Sequence, residues 1–246
     1  MTSQVDQSAE LQRHQHMLTI QASELNKWQL AGLKQKIAWL QKPRPSVTDV
    51  IDVLRKYNML VVHFTYVGKG TDKHLYPDDL QHAIAQPRAY LCASTIAPND
   101  TPLLHSVGYV GVILEPLDDY SVSKLTNGDG GTSDAKHEYP PIDEFERSIG
   151  DRGQAEPYNQ WTFESSKVRG LFVWGTWAVD RRILFPSPLP HEAGEMIETV
   201  DTAPVSLAEL LESFPGQRIF STNGTDFVEI HRNGSQTVVP HSAIYP

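Results

Sequence analysis

The sequence predicts an α+β fold, on three observations. Amphipathic helical patterns come first, strands mixed with short helices follow, and the chain closes on short strands joined by Asn-Gly turns. A regular strand–helix alternation is missing. So is the glycine-rich strand-to-helix turn of dinucleotide-binding and phosphate-loop folds. The expected organisation is a helical arm over 1–45, a core over 46–190, and a helix with a small β-meander over 191–246 packed on that core.

The arm reads as one helix from Ala9 to Gln41, because Leu30, Leu33, Ile37 and Leu40 recur at helical steps and Leu18, Leu25 and Trp28 precede them. Pro43 and Pro45 stop it. Ser46 caps the next helix, which runs to about Tyr57, with Asp49 three residues on. Met59–Thr65 is apolar and β-branched, a buried strand. Gly68 and Gly70 loosen the following loop, and Pro77 suits the first position of a helix through Ile84. Arg88–Ser94 and Val107–Leu114 are the next strands, Glu115–Tyr139 a long polar loop, and Ile142–Ile149 a short helix. Strands are expected at Asn159–Glu164 and Val168–Trp174, with irregular chain over Asp180–Pro190. Ser206 caps a helix over Leu207–Phe214. Arg218–Ser221, Phe227–His231 and Gln236–Val239 form the meander, turned at Asn223-Gly224 and Asn233-Gly234.

Composition excludes several function classes. A net charge of −9 gives no global attraction to nucleic acid, although Lys27, Lys34, Lys36, Lys42 and Arg44 cluster early. The single cysteine, Cys92, rules out an internal disulfide and a cysteine-rich zinc site. Residues 1–13 lack a signal-peptide core, and no apolar run nears the ~20 residues of a membrane span, so a cytoplasmic protein is expected. HExxH and GxSxG are absent. His14, His16, His74, His82 and His105 are scattered, so no metal site is expected.

Three segments place polar groups where chemistry could occur. In VVHFT, His63 and Thr65 share one side of an apolar strand, to partner each other and the backbone or to line a cleft. RAYLCAST sets the Tyr90 ring before the Ser94 and Thr95 hydroxyls. PYNQWTF puts Asn159 and Gln160 at a strand start, at the rim of a sheet. Asn159 also fits simple turn chemistry.

In this order the three segments resemble the strand blocks of the ADP-ribosyltransferase fold of bacterial toxins and their relatives, over roughly Met59 to Trp174. The resemblance implies a split, mostly antiparallel sheet and a domain that transfers ADP-ribose from NAD to a protein, RNA or DNA acceptor. It implies that His63 holds the adenosine-side ribose and that Tyr90 packs by nicotinamide. Thr65, Ser94 and Thr95 would shape the pocket. The catalytic glutamate of the family corresponds to Gln160. By the same analogy the chain is a toxin or antiviral-defence effector with a neutralising partner protein.

Gln160 departs from the family pattern. An amide keeps the hydrogen bond to a ribose hydroxyl but supplies neither negative charge nor a base. Three accounts follow. The domain is naturally inactive, or Glu164, roughly 13 Å further along the strand, serves instead, or Gln160 replaces a native glutamate. Two alternatives stand beside the transferase. One is a non-enzymatic binding or immunity-type protein using the arm and the meander. The other is a metal-independent nuclease using histidines such as His63 and His105.

Overall fold

A computed structural model describes residues 2–21, 25–65, 76–100, 109–127, 139–150, 159–174, 178–186 and 196–246. The arm is two helices, α1 (Thr2–Gln21) and α2 (Lys27–Gln41), rather than one. Asn26 separates them. Its side chain accepts from the Trp28 and Gln29 amides, and Gln29 reaches back to the Asn26 amide. This capping box starts a new helix inside a continuous apolar pattern. Leu33, Ile37 and Leu40 are buried on α2, which lies against α1. Lys42 ties the base of the arm to Asp143 at 2.6 Å.

The expected Ser46 cap is present on α3 (Val47–Lys56), with Asp49 completing the box, and Val50, Ile51, Val53 and Leu54 point inward. β1 (Leu60–Phe64) follows, fully buried. α4 (Asp78–Ala85) begins one residue later than expected, with Pro77 at the cap position. β2 (Leu91–Ile96) and β3 (Val110–Pro116) are each shifted about three residues toward the C-terminus of their expected spans. The expected loop over Glu115–Tyr139 contains a strand, β4 (Val122–Asn127). The rest of that loop's glycine-rich stretch, like Gly68, Gly70, His74 and His105, lies outside the described residues.

α5 (Ile142–Gly150), β5 (Asn159–Phe163) and β6 (Ser166–Val173) come next. Asp180–Pro190 is not irregular over its described part. β7 (Ala178–Pro186) pairs with β8 (Met196–Pro204) as a two-stranded ribbon of its own. Asp180, Arg181 and Arg182 interrupt the apolar alternation there, which hid the strand in the sequence. α6 (Leu207–Ser213) is capped by Ser206. β9 (Ile219–Thr222), β10 (Phe227–Ile230) and β11 (Gln236–Val238) form the meander.

One nine-stranded sheet runs β11-β10-β9-β6-β3-β1-β2-β5-β4, antiparallel except where β6 meets β9. The meander therefore joins the core edge to edge, as a continuation of its sheet. Gly170 permits that junction, because a Cβ there would lie 2.7 Å from the Arg218 carbonyl. Gly111 permits the close approach of β3 to β1, where a Cβ would sit 2.5 Å from the His63 carbonyl. Tyr245 is fully buried at the other end of the β1–β3 pair. Its hydroxyl accepts from the Val61 amide at 3.0 Å and donates to the Leu114 carbonyl at 2.9 Å, where the ladder itself has stopped. Among the described residues no helix is long and apolar enough to cross a membrane.

Candidate functional site

The three polar segments, separated by nearly a hundred residues, fall on β1, β2 and β5, which are adjacent in that order. The β1–β2 ladder runs from Leu60↔Ile96 to Val62↔Ser94 and ends there, so the sheet forks. The Thr95 amide faces β5, where Asn159 accepts it, so the Ser94 and Cys92 carbonyls turn toward β1. Beyond the last rung the Cys92 carbonyl meets the His63 imidazole, with Nδ1 at 2.7 Å. Nε2 lies 3.2 Å from the Asp79 carboxylate on α4.

Both ring nitrogens of His63 are thus engaged, and the ring and Asp79 are buried. A carbonyl only accepts, so Nδ1 carries a proton, and a second proton on Nε2 makes the imidazolium that Asp79 stabilises. Burial opposes that charge, but the Asp79 carboxylate and the Cys92 carbonyl outweigh it and raise the pKa above the ordinary histidine value. The ring holds the fork. Thr65 closes the same end of β1, its hydroxyl donating to the Val110 carbonyl at 3.2 Å.

β2 and β5 pair as Leu91↔Phe163, Cys92↔Thr162 and Ala93↔Trp161, and the same register sets Ser94 beside Gln160. Alternation then divides the residues between two faces. Ser94, Gln160, Cys92 and Thr162 share one face. Thr95, Asn159 and Trp161 share the other, toward α5. The Thr95 hydroxyl is committed there, donating to Asn159 at 2.8 Å.

Asn159, expected at a sheet rim or in a turn, is instead a buried node, a role that sequence reasoning missed. It is fully buried, and its oxygen accepts from both the amide and the hydroxyl of Thr95. Its nitrogen donates to the Ser148 carbonyl at 3.0 Å and hydroxyl at 3.1 Å. The Trp161 indole also donates to the Ser148 hydroxyl, at 3.2 Å, and packs edge-on against Phe145. Simple turn chemistry does not describe it. No local signal distinguishes a strand asparagine whose four hydrogen bonds go to Thr95 and Ser148 from a turn asparagine.

On the face that carries Ser94 and Gln160, both buried, Tyr90 precedes β2 and is 49% exposed. Partial burial first, then the Cys92 and Glu164 charges, raise its phenol pKa, against a hydrogen bond with Thr162. The phenol therefore lies by the Cys92–Thr162 pair, one rung pair from Ser94 and Gln160. The Ser94 hydroxyl makes no hydrogen bond among the described residues. Gln160 is buried, and its main-chain carbonyl accepts from the Thr126 hydroxyl at 3.5 Å. Glu164 follows the end of β5, and its carboxylate accepts from Tyr139 at 3.0 Å. An aromatic ring, a hydroxyl, an amide and a carboxylate line this face, a set suited to sugar hydroxyls and a planar ring. Among the described residues no group of three or more His, Cys, Asp and Glu side chains is placed to hold a metal.

Comparison of the chain with protein-family models, with curated proteins and with solved structures finds no match.

Proposed function

We propose that the chain is an ADP-ribosyltransferase-like domain that takes NAD as its substrate, acts on a macromolecular acceptor, and carries its reaction position as Gln160. One observation carries this reading: the three segments lie on neighbouring strands, β1-β2-β5, around a fork between β1 and β2. That arrangement supports the split sheet the resemblance implies. The roles divide by where each side chain stands. His63 and Thr65 act as positioning residues, pinning the fork through Asp79, Cys92 and Val110. Thr95 anchors β2 to β5 through Asn159. Tyr90 offers a ring for stacking on nicotinamide, and Ser94 and Gln160 offer hydrogen bonds to a ribose.

The chemistry NAD supplies is a glycosidic bond from C1′ of ribose to a cationic nicotinamide leaving group. A carboxylate at position 160 would stabilise the positive charge developing at that carbon, and the amide of Gln160 does not. Loss of such a term costs about two to three orders of magnitude in rate. Glu164 is engaged with Tyr139 beyond the end of the strand, so it does not stand in place of residue 160.

A second reading, a non-enzymatic interaction protein, is favoured by the arm, where Trp28 is 82% exposed. The test is incubation of the chain and its Gln160→Glu variant with labelled NAD and separate pools of protein, RNA and DNA. Label entering one pool only with the variant supports the transferase and names the acceptor class. No label and no nicotinamide release from either form refutes it.

A further inference from the structure

β4 adds a third strand to the face that carries Ser94 and Gln160. It pairs with β5 as Lys124↔Thr162, Leu125↔Trp161 and Thr126↔Gln160. A bulge between Val122 and Lys124 takes up Ser123, whose hydroxyl donates to the Thr162 carbonyl at 3.4 Å. Past the bulge the strand alternates regularly. Leu125 shares the side of Trp161, toward Phe145 on α5, and Lys124 and Thr126 share the side of Thr162 and Gln160. Two rows of side chains therefore cross from β2 over β5 to β4. One is Ser94, Gln160 and Thr126, and the other is Cys92, Thr162 and Lys124.

Lys124 is partly buried, and among the described residues it makes no ion pair or hydrogen bond. The Glu164 carboxylate, on the next row, accepts from Tyr139 at 3.0 Å. The other cation near this face, Arg88, stands at the rim beyond Tyr90 and pairs with Asp118 at 3.8 Å. The Ser94 hydroxyl, on a residue 9% exposed, is also without a hydrogen bond among the described residues. An ammonium and a hydroxyl thus stand on one face with β5 between them, each with its bonding capacity unused.

An anion attached to a hydroxyl-bearing ring satisfies both groups. Lysine binds phosphate as a point charge, through charge-assisted hydrogen bonds. With nicotinamide on Tyr90 and its ribose at Ser94 and Gln160, the 5′-phosphate of that ribose runs across β5 toward β4. β4 lies two strand spacings, about 10 Å, from β2, a span shared between the ribose phosphate and the lysine stem. We infer that Lys124 binds the pyrophosphate of the dinucleotide, at the phosphate next to the nicotinamide ribose. This rests on the NAD reading proposed above. A lysine on an edge strand also discourages edge-to-edge pairing, and the two roles separate in a binding experiment.

The test is isothermal titration of the full chain with NAD, nicotinamide mononucleotide and nicotinamide riboside, the last of which lacks the phosphate. The wild type should bind the mononucleotide about tenfold more tightly than the riboside, as one charge-assisted contact to phosphate warrants. Lys124→Gln should remove most of that preference and weaken NAD binding about tenfold, and Lys124→Arg should retain both. Two results overturn the inference and leave the NAD reading standing. One is a wild type that binds NAD but takes riboside and mononucleotide equally. The other is a Lys124→Gln variant, folded by circular dichroism, that keeps the preference, which would confine Lys124 to guarding the edge. A wild type that binds none of the three overturns both.

Discussion

Replacing Asn159 by leucine keeps most of the side-chain volume and removes all four of its hydrogen bonds. The Thr95 amide suffers most, since its partner at 3.0 Å disappears inside the protein and a backbone N–H cannot turn away. That group alone costs about 1–3 kcal/mol. The Thr95 hydroxyl, 2.8 Å from Asn159, can rotate, and the Ser148 hydroxyl keeps its bond from Trp161 at 3.2 Å. These lesser losses add roughly 0.5–1.5 kcal/mol each. The sum, about 3–5 kcal/mol, is a large share of the 5–15 kcal/mol that holds a typical domain. Urea unfolding followed by tryptophan fluorescence measures it. Thr95→Val alone should cost only about 1 kcal/mol, because Asn159 keeps the amide. In the double variant the two effects should fail to add by more than 0.5 kcal/mol. An Asn159→Leu protein within 1 kcal/mol of wild type would refute the reasoning, since the four bonds would then contribute little to holding β2, β5 and α5 together.

Three further outcomes follow from the same geometry. His63 has a raised pKa in the fold, so its stabilisation is complete below the ordinary histidine value, about 6.5, and is lost as pH rises through the raised value. His241 is shifted down by burial and works in the opposite direction, so the measurement is the difference in stability between wild type and His63→Leu across that range. A gap that widens with rising pH would contradict the assignment. Gly111→Ala forces a Cβ within 2.5 Å of the His63 carbonyl, backbone against backbone, and should cost about 1–3 kcal/mol in chemical denaturation. Tyr245→Phe strands the Val61 amide and the Leu114 carbonyl in the core. A loss of about 1–3 kcal/mol is expected, with faster hydrogen exchange at Val61 as its local signature.

Much of the local structure was legible because it depends on neighbours in the chain. The Ser46–Asp49 and Ser206 caps are three-residue interactions, and the Asn-Gly turns are two-residue ones. The split of the arm at Asn26 was legible in principle, since Asn26 and Gln29 are also three apart, but the unbroken apolar pattern outweighed it. β4 and β7 were not legible. Each takes its identity from a partner strand, β5 or β8, and not from its own alternation.

The candidate site divides the same way. Sequence singled out His63, Thr65, Tyr90, Ser94, Thr95 and Gln160 because polar groups in apolar strands are uncommon and need partners. Which face each would take depends on register, and a shift of one residue reverses it. Ser94 and Thr95 are adjacent, yet one faces Gln160 and the other Asn159. What the sequence by itself determined is the α+β class, most of the elements and the short list of polar residues, because these follow from periodicity and turn chemistry within a few residues. Tertiary structure alone decided that β1, β2 and β5 lie side by side, that the sheet forks at His63, and that Asn159 is a buried node, because each rests on contacts between residues brought together only when distant strands pair.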